Sequence, residues 1–326
     1  MSDSDNTTRQ SERASPRPTT VAVVGCGVIG RSWVRVFTRA GCRVRLWDSS
    51  PASIERALAW HADESVRDTR ANSNEEGLEE GFADAATSLP HALSDAQWVQ
   101  ESGPESLGAK QSLFASLDEL APPNAVVASS TSTLDMTEIA RDLIGAHRCI
   151  VAHPVNPPHV VPAVEVLGGA RTSADTVARA VDGLRSVGQV PVVLNRYVPG
   201  FLLNRMQMAL VREAISLVER GVADVDAIDA VIRDGLGLRW ALMGPFGVAN
   251  TNADGGTREY LTRYSDSLRW LMNDLGETPA MDAALIERLG EQTDRMVDDM
   301  PRDRLRAWRD RMVQGITALK RADGGP

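Results

Sequence analysis

The hydrophobic pattern changes character once along the chain. Up to about residue 195, short apolar runs rich in β-branched residues alternate with helical stretches, whereas only helical periodicity follows. The first run, Thr20–Val24, precedes a helical pattern and then a second run ending at Asp48, and strand, helix, strand in about thirty residues is a βαβ unit. The pattern predicts a doubly wound, mostly parallel sheet, followed by an all-helical C-terminal domain.

Further elements follow from the same periodicities. We predict later strands and helices in the first part of the chain at 97–100, 107–120, 125–129, 149–153, 163–167, 172–187 and 190–194. Residues 51–94 carry a helical pattern that is broken near residues 72–77. The domain limits predicted from these changes are a disordered tail at 1–19, a nucleotide-binding domain at 20–197 and a helical substrate and dimerisation domain at 198–326.

The helical part begins with a long predicted helix and continues with four more. The apolar face of the first helix is predicted to contain Phe201, Met206, Leu210, Ala214 and Leu217. Asp224 is predicted to be the N-cap residue of the next helix. Ile228, Val231 and Ile232 of that helix are predicted to face inward. Later helices are predicted at 259–275, 281–296 and 303–319.

Composition excludes several classes of protein. The chain has 326 residues, of which 43% are hydrophobic, enough for a sizeable core, and it has no apolar run approaching the ~18 residues of a membrane span. A formal net charge of -9 argues against nucleic-acid and membrane-surface partners. The polar start lacks the apolar stretch of a secretory signal, so we expect a cytoplasmic protein. Cys26, Cys42 and Cys149 show no paired spacing, and no metal site is expected.

A glycine-rich loop follows the first predicted strand. Gly25, Gly27 and Gly30 (with Val28 and Ile29 between the last two) stand where a Rossmann-type fold turns tightly, lets a pyrophosphate approach and packs helix on strand. Asp48, 18 residues after Gly30, ends the next strand, where a carboxylate can accept hydrogen bonds from the adenosine ribose. An aspartate would repel a 2′-phosphate, so the sequence predicts NAD rather than NADP.

Candidate catalytic residues lie at the ends of two later strands. Ser132 follows the strand at 125–129, and His153 ends the strand at 149–153. A dehydrogenase acting on alcohols needs a base with a pKa near neutrality, for which histidine is the natural candidate. Glu165, in the next apolar run, could orient the ring of His153 and stabilise its cation. A structural histidine, a turn serine and a strand-end ion pair are the alternative interpretations.

These motifs together resemble the 3-hydroxyacyl-CoA dehydrogenase superfamily along nearly the whole chain after the tail. The resemblance rests on the glycine loop and on the segments SSTSTL at 129–134, AHPVNPP at 152–158, VPGFLLNR at 198–205 and MGPF at 243–246. It implies an active site of Ser132, His153, Glu165 and Asn204. It also implies that Glu105 and Lys110 contact the nicotinamide end of NAD, although a solvated helix-end pair is the alternative for these two.

Within the superfamily the chain is most similar to the lambda-crystallin and L-gulonate 3-dehydrogenase branch. The segments GVIGRSW at 27–33 and GLGLRWALMGP at 235–245 carry that similarity, and L-carnitine dehydrogenases have a similar LRWA segment. The resemblance places Arg239 at a position suited to bind a substrate carboxylate, with a surface ion pair as the alternative. The predicted function is the NAD-dependent oxidation of a small 3-hydroxy acid.

The charge of residues 63–84 also favours a small acid over a CoA thioester. Eight acidic and two arginine side chains give this arm a net charge of -6, which should repel the phosphates of CoA. A solvated helix face is the alternative interpretation. A short-chain 3-hydroxyacyl-CoA dehydrogenase, an L-carnitine dehydrogenase and a structural, NAD-binding crystallin-like protein therefore stay open. We also expect a homodimer, because the helical domain has more apolar faces than one sheet edge could cover.

Overall fold

The computed structural model describes residues 17–71, 81–297 and 300–323. These fall into two compact units, one ending at Leu202 and the other beginning at Leu203. The predicted tail up to residue 16, the break near residues 72–77 and the greater part of the acidic arm lie outside the described side chains.

Eight strands form a single sheet in the first unit. In chain order they are β1 (Thr20–Val24), β2 (Arg43–Trp47), β3 (Ala83–Ala85), β4 (Trp98–Glu101), β5 (Val126–Ser129), β6 (Cys149–Pro154), β7 (Ala163–Gly168) and β8 (Val190–Val193). Their order across the sheet is β3-β2-β1-β4-β5-β6-β7-β8, and only the β6–β7 pair is antiparallel. The predicted doubly wound, mostly parallel sheet is confirmed.

Helices cover both faces of this sheet. They are α1 (Val28–Arg39), α2 (Pro51–Ala71), α3 (Leu89–Leu93), α4 (Leu107–Leu120), α5 (Met136–Ile139) and α6 (Ala174–Ser186), with a 3₁₀ turn at Ala146–Arg148. Alternate residues of β1 enter different cores. Val21 and Val23 belong to the core that includes residues of α1 and α6, whereas Ala22 and Val24 belong to the one that includes residues of α4 and α5. Burial on both faces explains why these strands are apolar throughout rather than alternating.

Every regular element formed by the described residues of the second unit is a helix, which confirms the predicted all-helical character of the C-terminal part. Its helices are α7 (Leu203–Glu219), α8 (Val225–Val231), α9 (Gly237–Leu242), α10 (Pro245–Thr251), α11 (Gly256–Asp274), α12 (Ala283–Met296) and α13 (Arg302–Asp323), with a π-helical turn at Ile232–Leu236. None of the helices formed by the described residues combines the length and apolar character needed to cross a lipid bilayer.

Three local predictions were wrong. The strand β3 lies within the stretch predicted as helical, and Ala-Asp-Ala has little intrinsic strand preference, so its pairing with β2 decides its conformation. Phe201 is not part of the long helix, which begins at Leu203; its φ of 50° places it in a left-handed turn. Val231 does not face inward in the single chain, where 64% of it is exposed.

Candidate active site

The glycine loop joins β1 to α1 and has the geometry that its sequence predicts. Gly25 has a φ of 95°, and its N–H donates to the carbonyl of Trp47 over 2.9 Å. A Cβ atom on Gly25 would lie 2.6 Å from the backbone of Ser102, and one on Gly30 would lie 1.8 Å from the Gly25 carbonyl oxygen. Both positions therefore require glycine, the first for its conformation and both for the close approach of backbone to backbone.

The start of α1 is open, as a phosphate site requires. Gly27 is the N-cap residue; no side chain caps the helix there, and its first turn holds no acidic residue. A Cβ atom on Gly27 would meet nothing within 4 Å. The N–H groups of Val28 and Ile29 belong to this first turn, where an α-helix leaves its N–H donors unpaired and concentrates partial positive charge. A pyrophosphate fits this cradle, in which an N-cap side chain would take up space.

Asp48 connects the loop to the end of β2. Its Oδ2 accepts a hydrogen bond from the N–H of Cys26 over 2.8 Å, and its Oδ1 accepts one from the N–H of Ser50, also over 2.8 Å. An ionised carboxylate has about four lone-pair sites, so Asp48 can hold the loop and still accept from a ribose hydroxyl. Burial, together with the charge of Asp48, raises the pKa of the Cys26 thiol to about 12, so this cysteine stays protonated.

His153 and Glu165 form a buried pair on neighbouring strands. Antiparallel pairing sets His153 of β6 directly opposite Glu165 of β7, and His153 Nδ1 lies 2.8 Å from Glu165 Oε2. The exposed fraction is 7% for His153 and 5% for Glu165. The other carboxylate oxygen, Oε1, accepts the N–H of Leu202 over 2.7 Å. The arrangement holds the imidazole in one orientation with Nδ1 towards a carboxylate.

Ser132 lies in a loop after β5 that is gathered around Glu105. Glu105 Oε1 accepts from the Thr131 hydroxyl over 2.7 Å and from the N–H and hydroxyl of Ser132 over 2.9 and 3.2 Å. The N–H and hydroxyl of Thr133 donate to the same oxygen over 3.2 and 3.1 Å. Partial burial acts to raise the pKa of Glu105, but these hydrogen bonds and the charge of Lys110 outweigh it and hold the pKa below its ordinary value.

Lys110 is anchored by a carboxylate that the sequence analysis did not single out. Its Nζ lies 2.9 Å from both carboxylate oxygens of Glu101 and 3.6 Å from Oε2 of Glu105. Glu101 is fully buried and also accepts the hydroxyl of Ser129 over 2.6 Å and the N–H of Gly103 over 2.6 Å. Such a buried ion pair needs these extra hydrogen bonds to offset the cost of desolvating both charges.

The first unit thus brings eleven of the thirteen predicted site residues to one edge of its sheet. The glycine loop, Asp48, Ser132, His153 and the Glu105–Lys110 pair all follow or adjoin the carboxyl ends of parallel strands. Glu165 reaches that edge because β7 runs in the opposite direction and starts there. In open α/β sheets, ligands bind outside the carboxyl ends of the strands.

The two remaining predicted residues belong to the second unit. Asn204 is part-buried in the first turn of α7, and Arg239 is exposed on α9, directly after the π-helical turn. Among the described residues, no three or more His, Cys, Asp or Glu side chains are grouped so that they could hold a metal ion.

Phe201 is a neighbour of the His153–Glu165 pair whose role the sequence did not indicate. Its ring lies 5.5 Å from that of His153 between centroids, at an interplanar angle of 62°, and it is fully buried. Its apolar character suggested a helix face, and only the preceding Pro199-Gly200 pointed to a turn. Glu101 could have been noticed as an acidic residue inside an otherwise apolar strand.

Comparison with known proteins agrees with this geometry. The 3-hydroxyacyl-CoA dehydrogenase NAD binding domain matches residues 20–197, and the C-terminal domain of the same proteins matches residues 200–294. The chain belongs to the 3-hydroxyacyl-CoA dehydrogenase family. The predicted resemblance is confirmed, and the glycine loop is that of an NAD-binding domain in a family of NAD-dependent oxidoreductases.

Relatives within the 3-hydroxyacyl-CoA dehydrogenase family cover almost the whole chain. Lambda-crystallin of Oryctolagus cuniculus is 35% identical and covers 94% of this chain and 98% of its own. L-carnitine dehydrogenase of Streptomyces coelicolor is 39% identical over 93% of this chain and 94% of its own. Among solved structures, an NAD⁺-dependent 5-formyl-3-hydroxy-2-methylpyridine 4-carboxylic acid 5-dehydrogenase is similar, with a TM-score of 0.78, 28% identity and coverage of 94% and 99%.

Proposed function

We propose that this protein oxidises the 3-hydroxyl group of a small, free 3-hydroxy carboxylic acid to the 3-keto acid, as an L-gulonate 3-dehydrogenase does. The observation that carries the proposal is the buried hydrogen bond between His153 Nδ1 and Glu165 Oε2, at the sheet edge where the glycine loop also lies. A structural histidine needs no carboxylate partner at that edge, whereas a catalytic base needs one to fix its orientation.

His153 acts as the base in this proposal. With Nδ1–H donating to Glu165, the second ring nitrogen, Nε2, is left as an acceptor for the proton of the substrate hydroxyl. Glu165 then stabilises the imidazolium that forms. The glycine loop and Asp48 would hold NAD⁺, which would supply the hydride acceptor for the carbon that carries the hydroxyl. Ser132, once its hydroxyl turns from Glu105 Oε1 to the substrate, and Asn204 donate hydrogen bonds to the substrate oxygen. These bonds stabilise the negative charge that develops there as the proton leaves.

Arg239 binds the substrate carboxylate and so sets the distance from that group to C3. A guanidinium presents paired N–H donors in the geometry of a carboxylate, which makes it more selective than an ammonium. The names of two relatives support a free acid: one acts on L-carnitine, a 3-hydroxy acid, and another on a pyridine carboxylic acid. The acidic arm at residues 63–84 supports the same choice, because it opposes the phosphates of CoA.

A substrate panel tests the proposal. L-gulonate, L-carnitine, 3-hydroxybutyrate and 3-hydroxybutyryl-CoA are compared at equal concentrations with NAD⁺ and with NADP⁺, and NADH or NADPH formation is followed by absorbance. We expect a free acid to exceed the thioester by at least about tenfold in kcat/KM, and NAD⁺ to be preferred. A thioester that is oxidised fastest would identify an acyl-CoA dehydrogenase, and NADH binding without any turnover would support a crystallin-like structural protein.

L-carnitine is the second candidate substrate, and sequence similarity supports it. The relatives named L-carnitine dehydrogenase are 37–39% identical to this chain over more than nine tenths of it. Oxidation of L-carnitine but not of L-gulonate would identify the substrate as a quaternary ammonium acid and would contradict the gulonate assignment, while leaving the roles of His153 and Glu165 intact.

We also infer that the protein works as a homodimer through its second unit. Large apolar side chains on several of its helices are exposed in the single chain, among them Phe246 at 78% and Trp270 at 70%. A large number of exposed apolar side chains on one domain favours a protein–protein contact there. Size-exclusion chromatography with light scattering should give about twice the chain mass of 35.2 kDa, and a monomer would contradict the inference.

A further inference from the structure

One short segment contacts both the loop that carries Ser132 (the serine loop) and the His153–Glu165 pair. We name Tyr197–Leu202 the bracket segment; it lies between β8 and α7. At one end, the hydroxyl of Tyr197 donates to the carbonyl of Thr133 over 3.0 Å, next to Ser132. At the other end, the N–H of Leu202 donates to Glu165 Oε1 over 2.7 Å. The segment therefore links the serine loop to the His153–Glu165 pair.

The ring of Phe201 lies beside the rings of both His153 and Tyr197. It lies 5.5 Å from the ring of His153 and 6.2 Å from that of Tyr197, in edge-to-face arrangements at 62° and 81°. No part of Phe201 is exposed. The imidazole is thus held on one side by a carboxylate and packed on another by an aromatic ring, which together restrict its rotation.

The backbone of the bracket segment adopts a conformation that is unfavourable for one of its residues, Phe201. Gly200 has a φ of 74° and Phe201 a φ of 50°, so two consecutive residues are left-handed. In the described chain Phe201 and Met281 are the non-glycine residues with positive φ, and only Phe201 is buried. A bulky residue held in this region indicates that the surrounding structure requires the conformation, and such strain concentrates at functional sites.

We propose that Phe201 is a positioning residue for the proposed reaction. Its left-handed turn directs the N–H of Leu202 at Glu165 Oε1, which leaves Oε2 to His153. Its ring fixes the imidazole so that Nε2 faces the substrate. This inference rests on the proposed function, but it concerns the hydrogen bond between His153 and Glu165, which can be observed without any substrate.

A matched pair of substitutions separates positioning from ordinary packing. Phe37 is also a buried phenylalanine with two ring contacts, at 5.5 Å to Trp33 and 6.2 Å to Trp98, in the other core of the sheet. Phe201→Leu and Phe37→Leu therefore remove equivalent rings and should lower the thermal stability by comparable amounts. Phe201→Met, which conserves volume better, replaces the leucine variant if that does not fold.

Two measurements are made on each variant. The first is kcat and KM for the best acid of the panel, together with the NADH dissociation constant. The second is the ¹H NMR signal of the Nδ1 proton shared by His153 and Glu165, which should lie far downfield and is assigned by its loss in His153→Asn. We expect Phe201→Leu to lower kcat by about tenfold or more and to broaden or abolish this signal, with NADH affinity unchanged.

The outcomes are distinct. Phe37→Leu should keep both kcat within about twofold and the downfield signal, despite its loss of stability. If Phe201→Leu behaves in the same way as Phe37→Leu, Phe201 is only a core residue and the inference is overturned. If the unmodified protein oxidises no acid, the proposed function fails, and the downfield signal alone then decides whether Phe201 positions the His153–Glu165 pair.

Discussion

His153 and Glu165 face each other across two neighbouring antiparallel strands, with 2.8 Å between Nδ1 and Oε2. This relationship depends on strand register, because successive side chains of a strand point to opposite faces of the sheet. A slip of one residue between β6 and β7 would send one partner to the wrong face. His153 and Glu165, twelve positions apart in sequence, therefore meet because this register sets them opposite each other.

Replacement of His153 by asparagine should abolish turnover while leaving the cofactor site intact. General base catalysis contributes about 10²–10⁴-fold, so kcat should fall by at least the lower figure. The NADH dissociation constant, measured by fluorescence titration, should change by less than about threefold because the glycine loop is on other strands. Asparagine retains a polar group for Glu165 to contact. Full activity in this variant would remove His153 from the mechanism.

Replacement of Arg239 tests the carboxylate site. Arg239→Ala should raise KM for a free acid by about 10²-fold or more, since an ion pair with hydrogen bonds is lost, and should leave the NADH affinity unchanged. Arg239→Lys keeps the charge but not the paired donors, and we expect an intermediate KM. Arg233, exposed on the preceding π-helical turn and paired with Asp234, provides the control: Arg233→Ala should not alter KM. An unchanged KM in Arg239→Ala would contradict the assignment.

The glycine loop gives a prediction about stability and binding together. A Cβ atom at Gly30 would overlap the carbonyl oxygen of Gly25, which is backbone and cannot move without opening the turn. Gly30→Ala should destabilise the fold by about 1–3 kcal/mol or more and weaken NADH binding. The control is Gly290→Ala in α12, where nothing lies within 4 Å; it should stabilise slightly, as alanine favours helices. Urea unfolding and NADH titration measure both, and normal NADH affinity in Gly30→Ala would contradict the phosphate-loop geometry.

The sequence predicts a residue's role well when that role depends on residues close to it in the chain. The glycine loop is such a case, since Gly25 and Gly30 approach each other within one turn. The loop was predicted from the sequence together with the strand before it and the helix after it. The His153–Glu165 pair was predicted because a catalytic histidine needs a group to orient its ring, but only the β6–β7 register defines its geometry. Local strand preference could not reveal β3, because its pairing partner is about forty residues away.

The roles of Glu101 and Phe201 could not be predicted from the sequence. The role of Glu101 depends on meeting Lys110 from another element in a buried place, and nothing in the strand sequence specifies that partner. Phe201 has the hydrophobicity of a helix face, and its left-handed conformation is set by surrounding contacts rather than by its own preference. Residues that act against their local preference are those that sequence patterns describe least well.

The lowered pKa of Glu105 predicts how stability changes with acid. A carboxyl group whose pKa is lower in the folded state than in the unfolded one contributes stability above the unfolded pKa, and this is lost as pH falls through the folded pKa. Glu105 should therefore stabilise the protein at pH 7, and the contribution should decline below pH 4.5. Solvent screening reduces this contribution to stability, because 40% of the Glu105 side chain is exposed.

In Glu105→Gln the melting temperature should be lower than that of the unmodified protein at neutral pH, and the two should converge in strong acid. Glu119→Gln, exposed in the last turn of α4, is the control and should show no such convergence. A constant difference in melting temperature across this range would mean that the charge of Glu105 does not hold the Ser132 loop.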